Sequence, residues 1–325
     1  MNETKLLPSL AGLRVFVAGH RGMVGSALVR RLEGEDCNVL TATRATLDLT
    51  NQANVNDWMK AAKPDVVLLA AAKVGGILAN ATYPSDFLYE NLMIEANVIQ
   101  AAWKTNVKKL VFLGSTCIYP KMAPQPIHED SLMTGPLEPT NEWYAIAKIA
   151  GLKLCQAYRK QHGADFISVQ PTNLYGPGDN YDLNAGHVLP ALIRKAHEAK
   201  LSSAKELVVW GTGSPLREFL HVDDLADAVV YLTLNYSGGD PVNIASGREV
   251  SIKTLAEVVC KTVGFEGNLV FDHSKPDGTP RKLADCTRLH GLGWNRVREL
   301  EVGLIETYLA ALKSGDLGAS PNRSQ

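Results

Sequence analysis

The chain has 325 residues, 46% of them apolar, and a formal net charge of −1, enough for a substantial core in roughly two domains and no field for nucleic acid or an anionic membrane. Its five cysteines (Cys37, Cys117, Cys155, Cys260 and Cys286) are scattered without a CxxC pair, which argues against a disulfide framework or a zinc site. No apolar run approaches the ~18 residues of a membrane span and Met1 to Gly12 lacks a long apolar core, so the expected location is cytoplasmic.

Taken in order, Arg14 to Ala18 reads as a buried parallel strand running into Gly19-His20-Arg21-Gly22-Met23-Val24-Gly25, with a helical pattern over Ser26 to Glu33. Gly19 permits the tight turn, Gly22 lets the backbone approach a pyrophosphate, and Gly25 lets the helix pack closely on the strand. The second strand, Asn38 to Ala42, ends in Thr41-Ala-Thr-Arg44. A site for an unphosphorylated ribose carries an acid there; Arg44, helped by Arg21, instead suits a 2′-phosphate and predicts NADP(H). Asp48 fits either the adenine edge or a turn. Asp65 to Ala71 is the third strand, and Ala70 to Ala72, Ala71 at their centre, would let backbone pass close to the cofactor.

Lys109 to Gly114 is the fourth strand, and Ser115 and Cys117 follow at its carboxyl end, where open parallel sheets bind ligands. Tyr144 and Lys148 stand four residues apart on the next helix and share a face. A phenol of pKa about 10 donates a proton near neutrality only beside a charge that stabilises the phenolate. The fifth strand, Phe166 to Gln170, leads into Pro171-Thr-Asn173-Leu174, on the other side of the cofactor.

The alternation implies a doubly wound parallel α/β sheet of the Rossmann type over 1–175. Gly- and Pro-rich turns after Pro171 suggest a smaller C-terminal α/β domain over 176–325, mainly for substrate, with segments such as 219–235 candidates to return to the first. The polar tail from Ser314 to Gln325 is expected to fray. Phe87 to Trp103 and Ala145 to Tyr158 are apolar on more than one face, so each needs cover on two sides, from this chain or from a second copy.

The glycine turn, Ser115 and Tyr144-x3-Lys148 resemble the extended short-chain dehydrogenase/reductases that act on nucleotide sugars. Gly19 to Gly25, Ala70 to Gly76, Gly114 to Pro120, Pro139-Thr-Asn-Glu, Pro171 to Pro177 and Arg217 to Asp224 narrow the likeness to the GDP-L-fucose synthase group, from about Arg14 to about Tyr308. The resemblance implies that a GDP-4-keto-6-deoxy sugar is epimerised at C3 and C5 and then reduced at C4. It gives Cys117 and His187 the proton transfers, Ser115 and Tyr144 the carbonyl oxygen, and Lys148 the nicotinamide ribose, with His187 also beside the cofactor. Lys195, Trp210, Arg217, Asp277 and Lys282 would hold the nucleotide diphosphate and sugar, Arg217 through its two-pronged fork and Trp210 by stacking. Homodimers of this group pair the two apolar helices into a four-helix bundle.

By residue type alone His187 remains a loop histidine, Cys117 a small buried residue, and Lys275, Arg281 and Lys282 a solvated basic loop; Lys200 competes with Lys195. A dehydratase would usually carry an acidic pair where Cys117 and Ile118 stand, and a 4-epimerase on the same scaffold leaves Arg44, Cys117 and His187 unexplained.

Overall fold

The computed structural model describes residues 6–183, 186–275 and 277–318. Its elements run β1 (Arg14–Ala18), α1 (Met23–Leu32), β2 (Asn38–Leu40), α2 (Gln52–Ala62), β3 (Val66–Leu69), α3 (Ile77–Thr82), α4 (Pro84–Lys104), β4 (Lys109–Leu113), α5 (Glu142–His162) and β5 (Phe166–Pro171). They continue with β6 (Asn173–Tyr175), α6 (Val188–Leu201), β7 (Glu206–Trp210), β8 (Leu216–His221), α7 (Val222–Asn235), β9 (Val242–Ile244), β10 (Glu249–Ser251), α8 (Ile252–Val263), β11 (Asn268–Asp272), β12 (Arg281–Lys282), α9 (Thr287–Gly291) and α10 (Leu300–Ser314).

A six-stranded parallel sheet has the order β2-β1-β3-β4-β5-β9. Every residue of β3, β4 and β5 is buried, as expected of parallel strands covered on both faces. Alternate residues feed two cores. Val15, Val17, Val66, Leu68 and Val111 pack toward α1 and α7, and Phe16, Ala18, Val67, Leu69 and Phe112 toward α4 and α5. Ion pairs from Arg30 to Asp223 and from Arg31 to Asp227 tie α1 to α7, so the segment after β8 returns to the first sheet.

A second sheet, β10-β8-β12 with β6 also on β8, and the β7–β11 pair carry the rest, over a third core in which α6, α8 and α10 meet. Leu317 is buried in that core, so the chain beyond Ser314 is anchored by an apolar side chain as far as Gly318; residues 319–325 lie outside the described residues.

Boundaries differ from expectation where side chains take over backbone roles. α1 starts at Met23 rather than Ser26 because Gly22 already caps it in an extended conformation. β2 stops at Leu40, where its pairing with β1 ends, and Asp65 stays outside β3 because its carboxylate accepts the Arg14 amide at 2.9 Å. Pro84, which needs no helical N–H partner, opens α4.

Asp165 is the polar anchor of the sheet's amino-terminal edge. Buried Lys109 lies 2.8 Å away, and Arg159 Nη1 and Ser237 Oγ donate to the other oxygen at 2.9 and 2.7 Å. Removing the carboxylate leaves the buried Lys109 ammonium with only the Tyr236 carbonyl and no counter-ion, so Asp165→Ala is expected to lose about 3–5 kcal/mol in urea unfolding. A loss under about 1 kcal/mol would show that these cations find other partners.

Candidate active site

Turns leaving β1, β3 and β4 at one edge of the sheet build the first wall. Gly19 has φ +89°, and a Cβ there would sit 2.7 Å from the Ala71 backbone. A Cβ on Gly25 would lie 2.0 Å from the Gly19 carbonyl, so the first turn of α1 packs directly on the loop. Gly22, its amide bonded to the Gly19 oxygen at 3.0 Å, leaves the helix N-terminus bare of side chains. This cradle fits a pyrophosphate, which would meet free amides and the positive end of the helix dipole. Partly buried Met23 and Val24 pack onto the core below, His20 is partly buried and Arg21 exposed.

Arg44 is exposed and without an ion pair among the described residues; it lines a groove of about 400 Å³ with Thr50, Ser85, Asp86, Tyr89 and Glu90. Both acids of that groove are engaged by Lys73, at 3.1 and 2.5 Å. Asp48 accepts the Thr50 amide at 3.0 Å and its hydroxyl at 2.7 Å, bonds that build a turn. On the far side Pro171 ends β5, Asn173 donates to the Glu218 carbonyl at 3.0 Å, and Leu174 packs onto the core.

At the end of β4 the Ser115 amide donates to Gln170 Oε1 at 2.9 Å, and its Oγ accepts the Cys117 amide at 3.2 Å. Behind them Tyr119 Oη donates to buried Asn243 at 2.6 Å, pinning the loop to β9. Burial pushes the Tyr144 phenol up, the charges of Cys117 and Glu95 add to this, and a hydrogen bond with Ser115 pulls it down.

Lys148 lies 5.8 Å from the Tyr144 ring centroid, on the predicted face. Its Nζ donates to Leu113 O at 3.1 Å and stands 3.0 Å from Glu95 Oε1, with both side chains 2% exposed. An acid thus joins the predicted pair. Its signal was the one charged residue in the Leu92 to Ile99 run, where Asn97 is the only other polar side chain.

Cys117 is partly buried, and Lys282 donates to its Sγ at 3.5 Å. Burial would raise the thiol's pKa, but the Lys282 charge and hydrogen bonds from Ser115, Lys282 and Asn141 bring it below its ordinary value. Asn141, the cap residue of α5, is a second contributor that residue type alone did not single out. His187 stands at the cap position of α6 without a side-chain capping bond and is partly open to solvent; desolvation, then the charge of Lys282, lowers its imidazole pKa. Asn184 and Ala185, before it, lie outside the described residues.

Lys282 reaches this place because β12 pairs with β8, opposite Arg217. Glu218, fully buried on the other face of β8, accepts the Ala284 amide at 3.3 Å and fixes that strand; burial pushes its carboxyl up to about 7. Asp277 accepts the Thr212 amide at 3.0 Å and its hydroxyl at 2.7 Å, and its charge acts on Arg217. Trp210, 60% exposed, has Lys195 and Lys275 at 5.0 and 5.5 Å from its ring. Ser115, Cys117, Tyr144, Lys148 and Lys282 therefore form one connected group, whereas Trp210 and Lys195 stand together farther along the second lobe.

An ammonium beside a thiol favours the thiolate, so Lys282→Met should move the alkylation of Cys117 by iodoacetamide, followed on its own peptide, to higher pH. An unmoved profile would mean that Lys282 does not set the thiol's charge.

Residues 15–245 match the model of the NAD dependent epimerase/dehydratase family. A GDP-L-fucose synthase of Sinorhizobium fredii is 60% identical over 92% of this chain and 95% of its own length. GDP-L-fucose synthase 1 of Arabidopsis thaliana is 62% identical over 93% and 94%. A GDP-L-fucose synthetase from Naegleria fowleri, solved bound to NADP, has a TM-score of 0.87 at 28% identity, covering 95% of this chain and 98% of that one. With a family model spanning more than half of its length and relatives at this identity, the chain belongs to the NAD dependent epimerase/dehydratase family.

Proposed function

We propose that this enzyme converts GDP-4-keto-6-deoxy-D-mannose to GDP-L-fucose, inverting C3 and C5 and then reducing the C4 ketone with NADPH. The observation that carries it is the thiol of Cys117 drawn toward its thiolate by Lys282 beside the Ser115, Tyr144 and Lys148 set, since a simple reductase has no use for that sulfur. Relatives that bear the name GDP-L-fucose synthase over nearly their whole length support the same reading.

Inversion requires a proton to leave a carbon beside the ketone on one face and return on the other. Cys117 and His187 form the acid–base pair, the thiolate eased by Lys282 and the imidazolium made a readier donor by its lowered pKa. Ser115 and Tyr144 hold the C4 oxygen, where charge gathers during each inversion. Tyr144 then gives its proton to that oxygen in the reduction. NADPH, when bound, supplies the hydride to C4. Gly19, Gly22 and Gly25 would cradle its pyrophosphate, with Ala71 and Leu174 beside it; Arg44 and Arg21 would take the 2′-phosphate, and Lys148 the nicotinamide ribose. Arg217 and Lys282 suit the diphosphate of the sugar nucleotide, and Trp210, flanked by Lys195, a stacked base or sugar.

The enzyme acts as a homodimer through the outward sides of α4 and α5, where Tyr89, Trp103, Trp143 and Ile146 are between 36% and 63% exposed. Sedimentation at micromolar concentration is expected to give a dimer, and Ile146→Asp to shift it toward monomer; a strict wild-type monomer removes this arrangement.

Turnover of GDP-4-keto-6-deoxy-mannose with NADPH in deuterated water is expected to yield GDP-fucose labelled at C3 and C5. Unlabelled GDP-6-deoxy-talose or GDP-rhamnose would mean reduction without epimerisation, and absence of NADPH oxidation would defeat the proposal. Cys117→Ser should slow exchange at C3 and C5 about a hundredfold while leaving NADPH affinity in place.

A further inference from the structure

We propose that Glu95 is a positioning residue for the reductive half of the reaction, holding the Lys148 ammonium and setting the charge that Tyr144 experiences. This rests on the reductase reading above. An ammonium has three donors. In Lys148 one goes to Leu113 O at 3.1 Å, and the charge stands 3.0 Å from Glu95 Oε1 as an ion pair, which limits how the ammonium can turn toward the cleft.

Stability gives no reason for the pair. Carboxylate and ammonium are each 2% exposed, and a buried ion pair is on average no better than apolar side chains of the same volume. The surroundings are nonetheless shaped to keep it. Gly151, one turn along α5 from Lys148, leaves the space, since a Cβ there would come within 2.5 Å of both Glu95 Oε2 and the Phe112 ring. Phe112 in turn lies under the ammonium, 4.9 Å from its centroid. Glu95 on α4, Gly151 on α5 and Phe112 on β4 thus confine one cation in one place.

The electrostatic consequence has a definite sign. Burial first and the charge of Cys117 next hold the Tyr144 phenol up, against the hydrogen bond with Ser115, and the Glu95 charge adds to them, so the acid helps to keep the phenol protonated and restrains the cation beside it. The protons at C3 and C5 are carried by Cys117 and His187 in the reading above, so the inversions draw on this pair only through the Tyr144 hydrogen bond to the C4 oxygen.

Glu95→Gln keeps the shape and removes the charge. It should lower NADPH oxidation about tenfold or more, move the alkaline limb of its pH profile to lower pH, and weaken NADPH binding, read by fluorescence without sugar, several-fold. Deuterium exchange into the keto sugar without NADPH should fall clearly less than reduction does, because Cys117 and His187 carry those protons and Tyr144 serves there only as a hydrogen-bond donor to the C4 oxygen. Glu95→Asp, which keeps the charge, should return the alkaline limb toward the wild-type position. Equal loss of exchange and reduction in both variants would make Glu95 a structural residue, as would an Asp variant whose limb stays with Gln. Wild-type reduction, limb and NADPH affinity in the Gln variant would overturn the proposal. Should the wild-type enzyme not accept the keto sugar at all, the functional reading fails instead, and unchanged NADPH affinity in Glu95→Gln still overturns this one.

Discussion

The site depends on the register of parallel pairing between β1, β3, β4 and β5. Ala18 lies opposite Leu69, Leu69 opposite Phe112, and Leu113 opposite Val169, so these strands end along one edge. Residues 19, 70 to 71, 114 to 115 and 170 to 171 emerge there together although the chain separates them widely. A one-residue slip in β4 would carry Ser115 about 3.3 Å along the edge and turn Phe112 from one core to the other.

Within that frame two lysines carry the same charge to different effect because of what each meets. Lys148 is sealed between α4, α5 and β4 against Glu95, so its field is largely answered before it reaches the cleft. Lys282 arrives on a two-residue strand with a thiol as its hydrogen-bond partner, and its field falls on Cys117 and His187. The sulfur is eased toward ionisation and the phenol kept from it, so the two groups are tuned in opposite directions around Ser115.

Much of this was legible in the chain because it is local. The glycine spacing, the apolar strands β1, β3, β4 and β5 and Tyr144 four residues before Lys148 are all patterns within a few residues, and each lies on the element expected of it, whereas Arg44 sits in the turn beyond a β2 that ends early, at Leu40. What could not be read were pairings between distant segments. Lys282 was a surface lysine by composition until β12 set it beside β8, and Glu95 was an odd residue in an apolar helix until α5 brought Lys148 against it. The Glu218 carboxyl and Asn243 escaped notice for the same reason: their partners, Ala284, Tyr119 and Ile127, come from remote parts of the chain.

The strand order has a mechanical corollary. After β5 the backbone leaves the six-stranded sheet for β6, builds β7 and β8, comes back through α7 and β9, and departs again into β10. Two lobes stitched by repeated passages of one thread can part only where the connections after β5, β8 and β9 bend together. Any opening between them is therefore shared among several short connections and is not given to one joint.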